Sequence, residues 1–510
     1  MSGFDDAFRL LYRGTALTLR GAWGASKAAG RGIQRAHVTS QIRSSAAVGS
    51  RGYLVPGDPP VAPGAMGLLD YRGVATTRDI GGLHRTAAGP EWPIGTHINL
   101  GRGPSRPIGL PAAVLERHAA VIGMTTAGKT YGVLIPWIHA ALRSGQSVVA
   151  IDVKGDLLDE IQKFGQRHGS SGARAAKWDF ADPSRSISWS WIAELTSEDS
   201  IDAAVAAIIG RERPNSSADP FFHRRDSVLL RGLLAHALAT AGRVASASDL
   251  LAILGDRKGL QRVAGHRGSP GSDDLASAIT GLDDHDYGKA VSGVSTALAR
   301  LNTAAIASVS RPGKFNIADI AKTPTLLVVG AQLAGGDRSV VTSSLFLNLF
   351  MAHAYRGFLT RSPRRTFLFL DEAARLANRF QFEEALSVSR GAGVSLVIAV
   401  QSPEQFREPS ERGAIMENCG TLIALPGSSS ATAQTVSDRF GRHTVTTMTT
   451  ARGTGSGGVS MNRSFEDVPV LRSTEIMSPP LGQRPAVAHI KAPDLGITFK
   501  PILIDLQDNH

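Results

Sequence analysis

Gly123-Met124-Thr125-Thr126-Ala127-Gly128-Lys129-Thr130 is the stretch on which the fold turns. It follows a short apolar run, Ala119-Ala120-Val121-Ile122, and opens an amphipathic helical pattern carrying Val133, Leu134, Trp137, Ile138 and Leu142. A G-x-x-x-x-G-K-[ST] match gains meaning only in that strand–loop–helix setting. The glycines let the backbone curl so that its N–H groups point inward at a polyphosphate, and the helix start adds partial positive charge. Lys129 can then reach the β and γ phosphates, and Thr130 can offer its hydroxyl to Mg²⁺.

Outward from the loop, Ser147-Val148-Val149-Ala150-Ile151-Asp152 reads as a buried parallel strand ending in a carboxylate, followed by Val153-Lys154-Gly155-Asp156 and a helix from Leu157. Strand, helix and strand make a βαβ unit and therefore a parallel, doubly covered sheet. In such sheets ligands lie outside the carboxyl ends of the strands, where Asp152 and Lys154 fall. The pattern resumes at Thr325–Gly330 and passes through a helix to Thr366-Phe367-Leu368-Phe369-Leu370-Asp371-Glu372. It continues with Ser395–Gln401 and Thr421–Leu425. The fold class expected is α/β: a P-loop NTPase with a mainly parallel sheet covered by helices, plus an inserted all-α domain.

That insertion is residues 195–312. Asp219-Pro220 reads as an N-cap followed by Pro at the first helical position. Apolar residues then recur at Phe222, Leu229, Leu230, Leu233 and Leu234, and later at Val291, Val294, Leu298 and Leu301. Residues 56–194 and 313–510 form the two parts of the nucleotide-binding domain. Within the second, 444–464 is Thr/Gly/Ser-rich and reads as a mobile loop or hairpin, and the tail from Val470 as short strands closing the sheet edge. Residues 1–55 form a basic helical arm, with eight Arg or Lys by residue 51 against Asp5 and Asp6. Such an arm lies on a membrane surface, docks on a partner, or is simply solvated on its own domain. Pro56 to Gly64 marks the linker.

At 510 residues the chain is too long for one core. A hydrophobic share of 42% and a charged share of 19% exclude a disordered or fibrous protein. The formal charge of +11 favours a polyanionic partner such as nucleic acid or an anionic membrane surface, although a basic solvated surface gives the same total. Cys419 is the single cysteine, which fits a reducing compartment, and no Cys/His cluster has zinc-ligand spacing. No apolar run approaches eighteen residues and no secretory signal opens the chain.

The chemistry concentrates at Asp371-Glu372. A carboxylate at the end of an apolar strand can hold the Mg²⁺ shared by the phosphates and Thr130, which is the task given to Asp371. Glu372 can act on the attacking water as general base. Two acids there could also open a helix, but beside the 123–130 loop that reading recedes. Gln401 ends the next strand, where its amide either senses a γ-phosphate or bonds a turn. Arg390, in Ser389-Arg390-Gly391-Ala392-Gly393, is by default a solvated arginine.

With these residues assembled, the chain resembles the coupling proteins of type IV secretion, the TraG/TraD-like conjugative DNA-transfer ATPases, which are RecA-like motors related to FtsK and HerA. The resemblance rests on Arg72–Asp79, the 123–130 loop, Asp152-Val153-Lys154-Gly155-Asp156, Asp219-Pro220-Phe221-Phe222, Asp371-Glu372-Ala373, Arg390–Gly393 leading to Gln401, Asn418-Cys419 and Phe440-Gly441. It covers about Arg72 to Ile490. It implies an ATP- and Mg²⁺-dependent motor that delivers DNA, single- or double-stranded, with a relaxase to a secretion channel. It further implies a homo-hexamer with nucleotide at subunit interfaces, Arg390 supplied in trans as a finger, and Gln401 as sensor. Thr126 and Ala127 stand where Gly-Ser is common. Typical members carry N-terminal transmembrane helices; here tethering would fall to the basic arm or a membrane-anchored partner, so the expected location is cytoplasmic or peripheral at the inner face of the cell membrane. The same catalytic motifs also fit a protein-docking or export ATPase, or a HerA/FtsK-like motor in genome maintenance or defence.

Overall fold

Strands β1 (Trp92–His97) and β2 (Pro107–Leu110) precede β3 (Ala119–Ile122), which feeds the glycine loop. After it come β4 (Ser147–Asp152), β5 (Arg174–Trp178), β6 (Thr325–Gly330), β7 (Thr366–Leu370), β8 (Val394–Val400) and β9 (Thr421–Ala424). The chain closes with β10 (Arg442–Arg452), β11 (Val459–Pro469), β12 (Pro485–Ala492), β13 (Ile497–Thr498) and β14 (Ile502–Asp505). The computed structural model describes residues 74–75, 79–80, 83, 92–98 and 106–506, with breaks at 213–219, 241–245, 267, 359–364, 453–458, 480–481, 494–496 and 499. The basic arm, the 56–64 linker, Asp219 and most of Arg72–Asp79 lie outside the described residues.

Twelve strands form one sheet in the order β2-β1-β14-β12-β9-β3-β8-β7-β4-β6-β5, with β13 beside β12. The seven strands from β9 to β5 are mutually parallel. β3, β4, β6, β7 and β8 are buried along their whole length, as parallel strands covered on both faces must be. Period-two alternation divides their side chains between two cores. Ala120, Ile122, Val149, Ile151, Leu368, Leu370 and Ile398 face one layer; Ala119, Val121, Val148, Ala150, Phe367, Phe369 and Val397 face the other. Trp92, Trp137 and Phe367 pack together in the second layer, and Trp178, Trp189 and Phe346 in the first.

Between β5 and β6 the described residues are helical: Glu198–Ile209, Pro220–Ala239, Ala247–Gly255, Arg257–Gly265, Ser272–Ile279, Asp284–Ala299, Ala304–Val309 and Ala318–Lys322. Short polar side chains set several of the starts. Ser197, Ser246, Asp256, Asp283 and Thr303 each accept a hydrogen bond from a backbone N–H of the first turn. Helix Glu198–Ile209 lies along helix Gly336–Phe358, which covers the sheet, so the apolar interior of the helices is continuous with one sheet layer.

The segment 444–464 falls within a hairpin, β10 paired with β11 from Arg442↔Pro469 to Arg452↔Val459. The tail differs from its expectation. β12 and β14 are antiparallel additions, but they sit between β9 and β1, so the edge on that side is β2. Pairing across nearly the whole chain length decides this, and no local pattern encodes it. Among the described residues no helix is long and apolar enough to cross a membrane.

Candidate functional site: a phosphate-binding cleft at the strand tips

The glycine loop leaves the tip of β3 at Gly123, whose N–H donates to the Val400 carbonyl at 3.1 Å. A Cβ there would stand 2.8 Å from the Leu425 Cβ, so the approach of the loop to the end of β9 requires glycine. Thr126 adopts φ +70° and Gly128 φ +93°, which curls the loop. The common glycine at 126 is thus replaced by a β-branched residue held in the left-handed region, an uncommon arrangement for such a side chain. A short π-helical turn, Thr130–Leu134, leads into helix Ile135–Arg143.

Lys129 is only 6% exposed. Its ammonium donates to the carbonyls of Gly123 (2.7 Å) and Met124 (3.2 Å) and stands 4.0 Å from a Glu372 carboxylate oxygen. Burial pushes its pKa down, Glu372 and Asp371 oppose that, and Lys154 adds to it. Thr130 Oγ1 donates to Asp371 Oδ2 at 3.1 Å. Glu372 takes φ +50° and ψ +44°, a left-handed conformation that turns the chain sharply off β7. The Gln401 amide lies 3.4 Å from both oxygens of Glu372. Two segments 241 residues apart therefore meet at neighbouring strand tips.

A cavity of about 480 Å³ opens between them, lined by the loop from Met124 to Thr130 and by Tyr131, Lys154, Asp371 and Glu372. Pro426, Gln483, Arg484, Pro485 and Leu506 complete its wall. Gln483 and Arg484 come from the loop before β12, where both backbone N–H groups donate to Asp505 Oδ1, at 3.0 and 2.6 Å. No short-range signal marks them. Their place depends on the antiparallel insertion of β12 and β14.

Arg390 is not brought to this cleft. It is exposed on the turn before β8, at the opposite ends of the strands, and its charge acts on Arg117 and His118 where the chain enters β3. The seven residues of β8 put about 23 Å between that turn and the strand tip.

Thr130 and Asp371 present two hard oxygens side by side, the donor set Mg²⁺ prefers beside phosphate oxygens. Adjacent ligands of an octahedral Mg²⁺ stand about 2.9 Å apart, close to the 3.1 Å between these two atoms. The residues present fit the ion.

A curled glycine loop between strand and helix, a buried lysine and an acid pair two strands away are the marks of the α/β P-loop NTPase fold of RecA-like type. The sequence profile of the family described as "Type IV secretory system Conjugative DNA transfer" matches residues 99–478, more than half of the chain, and the chain belongs to that family. Among solved structures it is similar to the bacterial conjugative coupling protein TrwBdeltaN70 in its unbound monoclinic form, at 18% identity and TM-score 0.61 over 85% of this chain and 92% of that one. It is likewise similar to TrwB in complex with the ATP analogue ADPNP (18% identity, TM-score 0.60, covering 85% and 93%). For TrwB in complex with ADP and Mg²⁺ the values are 18%, 0.56, 79% and 88%. At these identities the likeness is one of fold. No curated protein matches the chain.

Proposed function

We propose that the chain is an ATP- and Mg²⁺-dependent motor that couples DNA, with its relaxase, to a type IV secretion channel. The observation that carries this reading is the convergence of Lys129, Thr130, Asp371 and Glu372 on one cleft at the strand tips, with the Gln401 amide beside the Glu372 carboxylate. That the related fold of TrwB has been solved with ADP and Mg²⁺ and with ADPNP supports the same reading.

In this account the N–H groups of residues 124–128 cradle the phosphates, and Lys129 exchanges its two carbonyl partners for phosphate oxygens. Thr130 and Asp371 would hold Mg²⁺, which when bound neutralises charge on the phosphate oxygens. Glu372 takes the proton of the attacking water, and Gln401 fixes the orientation of its carboxylate. Arg390, about 23 Å from its own cleft, acts only if a second copy presents it, which favours a closed ring of subunits with a homo-hexamer as the assembly. Lys and Arg side chains facing the strand of DNA contact phosphates without regard to sequence, so binding weakens with salt. Residues 195–312 serve as the inserted all-α domain, 56–194 and 313–510 as the two parts of the motor domain, and 1–55 as the arm through which a membrane-anchored partner is met.

The test is ATP turnover of the purified protein with single-stranded DNA, double-stranded DNA and no DNA, at low and high salt. Turnover stimulated by DNA at low salt, and lost in Lys129→Ala with the fold intact, is expected. Unchanged turnover in Lys129→Ala overturns the site; stimulation by a partner protein but by no nucleic acid replaces DNA with polypeptide as the cargo.

A further inference from the structure

Lys154 lies in the nucleotide cleft without a role in the scheme above. Along the strand tips the order is the glycine loop on β3, Gln401 on β8, Asp371-Glu372 on β7, and then the turn after β4 that carries Lys154. Lys154 therefore stands one strand beyond the acid pair and lines the same cavity as Lys129 and Glu372, between which the terminal phosphate of a bound triphosphate would lie. Its charge is felt at Lys129.

The turn that presents it is built with unusual care. Asp152, 2% exposed, accepts hydrogen bonds from the backbone N–H groups of Lys154 (3.1 Å), Gly155 (2.7 Å) and Leu157 (3.1 Å). Gly155 takes φ +96°, and a Cβ there would stand 2.8 Å from Gln332 Nε2. Gln332 Nε2 in turn donates to Asp179 Oδ2 at 2.8 Å. Asp179 pairs at 3.0 Å with Lys177, which is 3% exposed and donates to the Gly155 carbonyl at 3.2 Å. A buried ion pair is costly to desolvate and adds little net stability, so its presence calls for another use. Here it clamps the backbone of one exposed lysine from below.

Charge in the cleft points the same way. The lining groups include Lys129, Lys154 and Arg484 against Asp371 and Glu372, a surplus of one positive charge facing a Mg²⁺-triphosphate that carries two negative ones. Without Lys154 that surplus vanishes.

We propose that Lys154 is a second phosphate-binding cation of the cleft, positioned by the Asp152 turn and the Lys177–Asp179–Gln332 brace to contact the terminal phosphate and so to distinguish ATP from ADP. This rests on the nucleotide reading above and deepens it.

The test measures the affinities of the full chain for ADP and for a non-hydrolysable ATP analogue, both with Mg²⁺, by displacement of a fluorescent nucleotide. A charge-assisted hydrogen bond to a phosphate lost from a partly exposed site weakens binding by about 10- to 100-fold. Lys154→Ala is expected to weaken the triphosphate by that factor and ADP by less than about threefold. Lys154→Arg is expected to restore most of the difference. Gln332→Ala, which leaves Lys154 intact but removes one member of the brace, is expected to narrow the ATP/ADP preference in part. Equal weakening of both nucleotides in Lys154→Ala, or no weakening of either, overturns the proposal while leaving the nucleotide site standing, provided wild type binds and Lys129→Ala does not. If wild type binds neither nucleotide, the nucleotide reading falls and the role of Lys154 falls with it.

Discussion

Glu372 occupies the left-handed region at φ +50° and ψ +44°. For an L-residue that conformation costs about 1–2 kcal/mol, whereas glycine accepts it freely. Glycine in turn costs about 0.5–1 kcal/mol through the extra freedom of the unfolded chain. Glu372→Gly should therefore be more stable than Glu372→Ala by roughly 0.5–1 kcal/mol, the reverse of the order found at most positions. Both variants lose the contact with Gln401 equally, so that contact cancels in the comparison. Urea unfolding followed by tryptophan fluorescence reads the difference: with a slope of about 3 kcal/mol per molar, the midpoints separate by about 0.2–0.3 M. Both variants should also lose about 10²–10⁴-fold in ATP turnover if Glu372 is the general base. An alanine variant as stable as the glycine one would show that the backbone at 372 is not held in this conformation. Retained turnover would remove Glu372 from the chemistry.

Two further expectations concern the two ends of β3, the strand that carries the glycine loop. His118 is buried, and burial together with Arg365 and Arg390 lowers its pKa from 6.5 to about 4. The folded state thus stays neutral while the unfolded chain takes up a proton, so stability falls as pH drops from about 6.5 towards 4, by about 3 kcal/mol from this group. His118→Asn, which tolerates the φ of +64° at that position, should flatten the acid side of the stability curve; an unchanged slope measured by denaturant titration refutes the assignment. At the loop, Gly123→Ala sets a Cβ 2.8 Å from the Leu425 Cβ. Overpacking of this kind costs about 1–3 kcal/mol and displaces the loop, so nucleotide affinity should fall. Unaltered affinity would mean that the loop does not need its close approach to β9.

Much of this architecture is short-range information. The glycine loop, the apolar strands ending in Asp152 and Asp371, and the helices between β5 and β6 each declare themselves within about twenty residues, because hydrophobic period and cap chemistry are local properties. The α/β class and the family followed from them. The antiparallel strands β12 and β14 were legible only as strands. Their position between β9 and β1 depends on partners some 400 residues away in Thr96 and His97, and with it went the cleft wall at Gln483 and Arg484. Lys177 and Asp179 were likewise silent, since a charged pair reads as solvent-facing until the fold buries it to 3% and 1%. Arg390 carried no local signal of its role, and its place on the opposite rim makes any role at a cleft a matter of assembly.

The central claim is that a triphosphate is held between the 123–130 loop and Asp371-Glu372. A structure of the protein with Mg²⁺ and a non-hydrolysable ATP analogue tests it most directly. The terminal phosphate is expected between Lys129 Nζ and the Glu372 carboxylate, with the metal on Thr130 and Asp371. A nucleotide seated elsewhere, or Lys129 still bonded to the carbonyls of Gly123 and Met124 with the analogue bound, would contradict it.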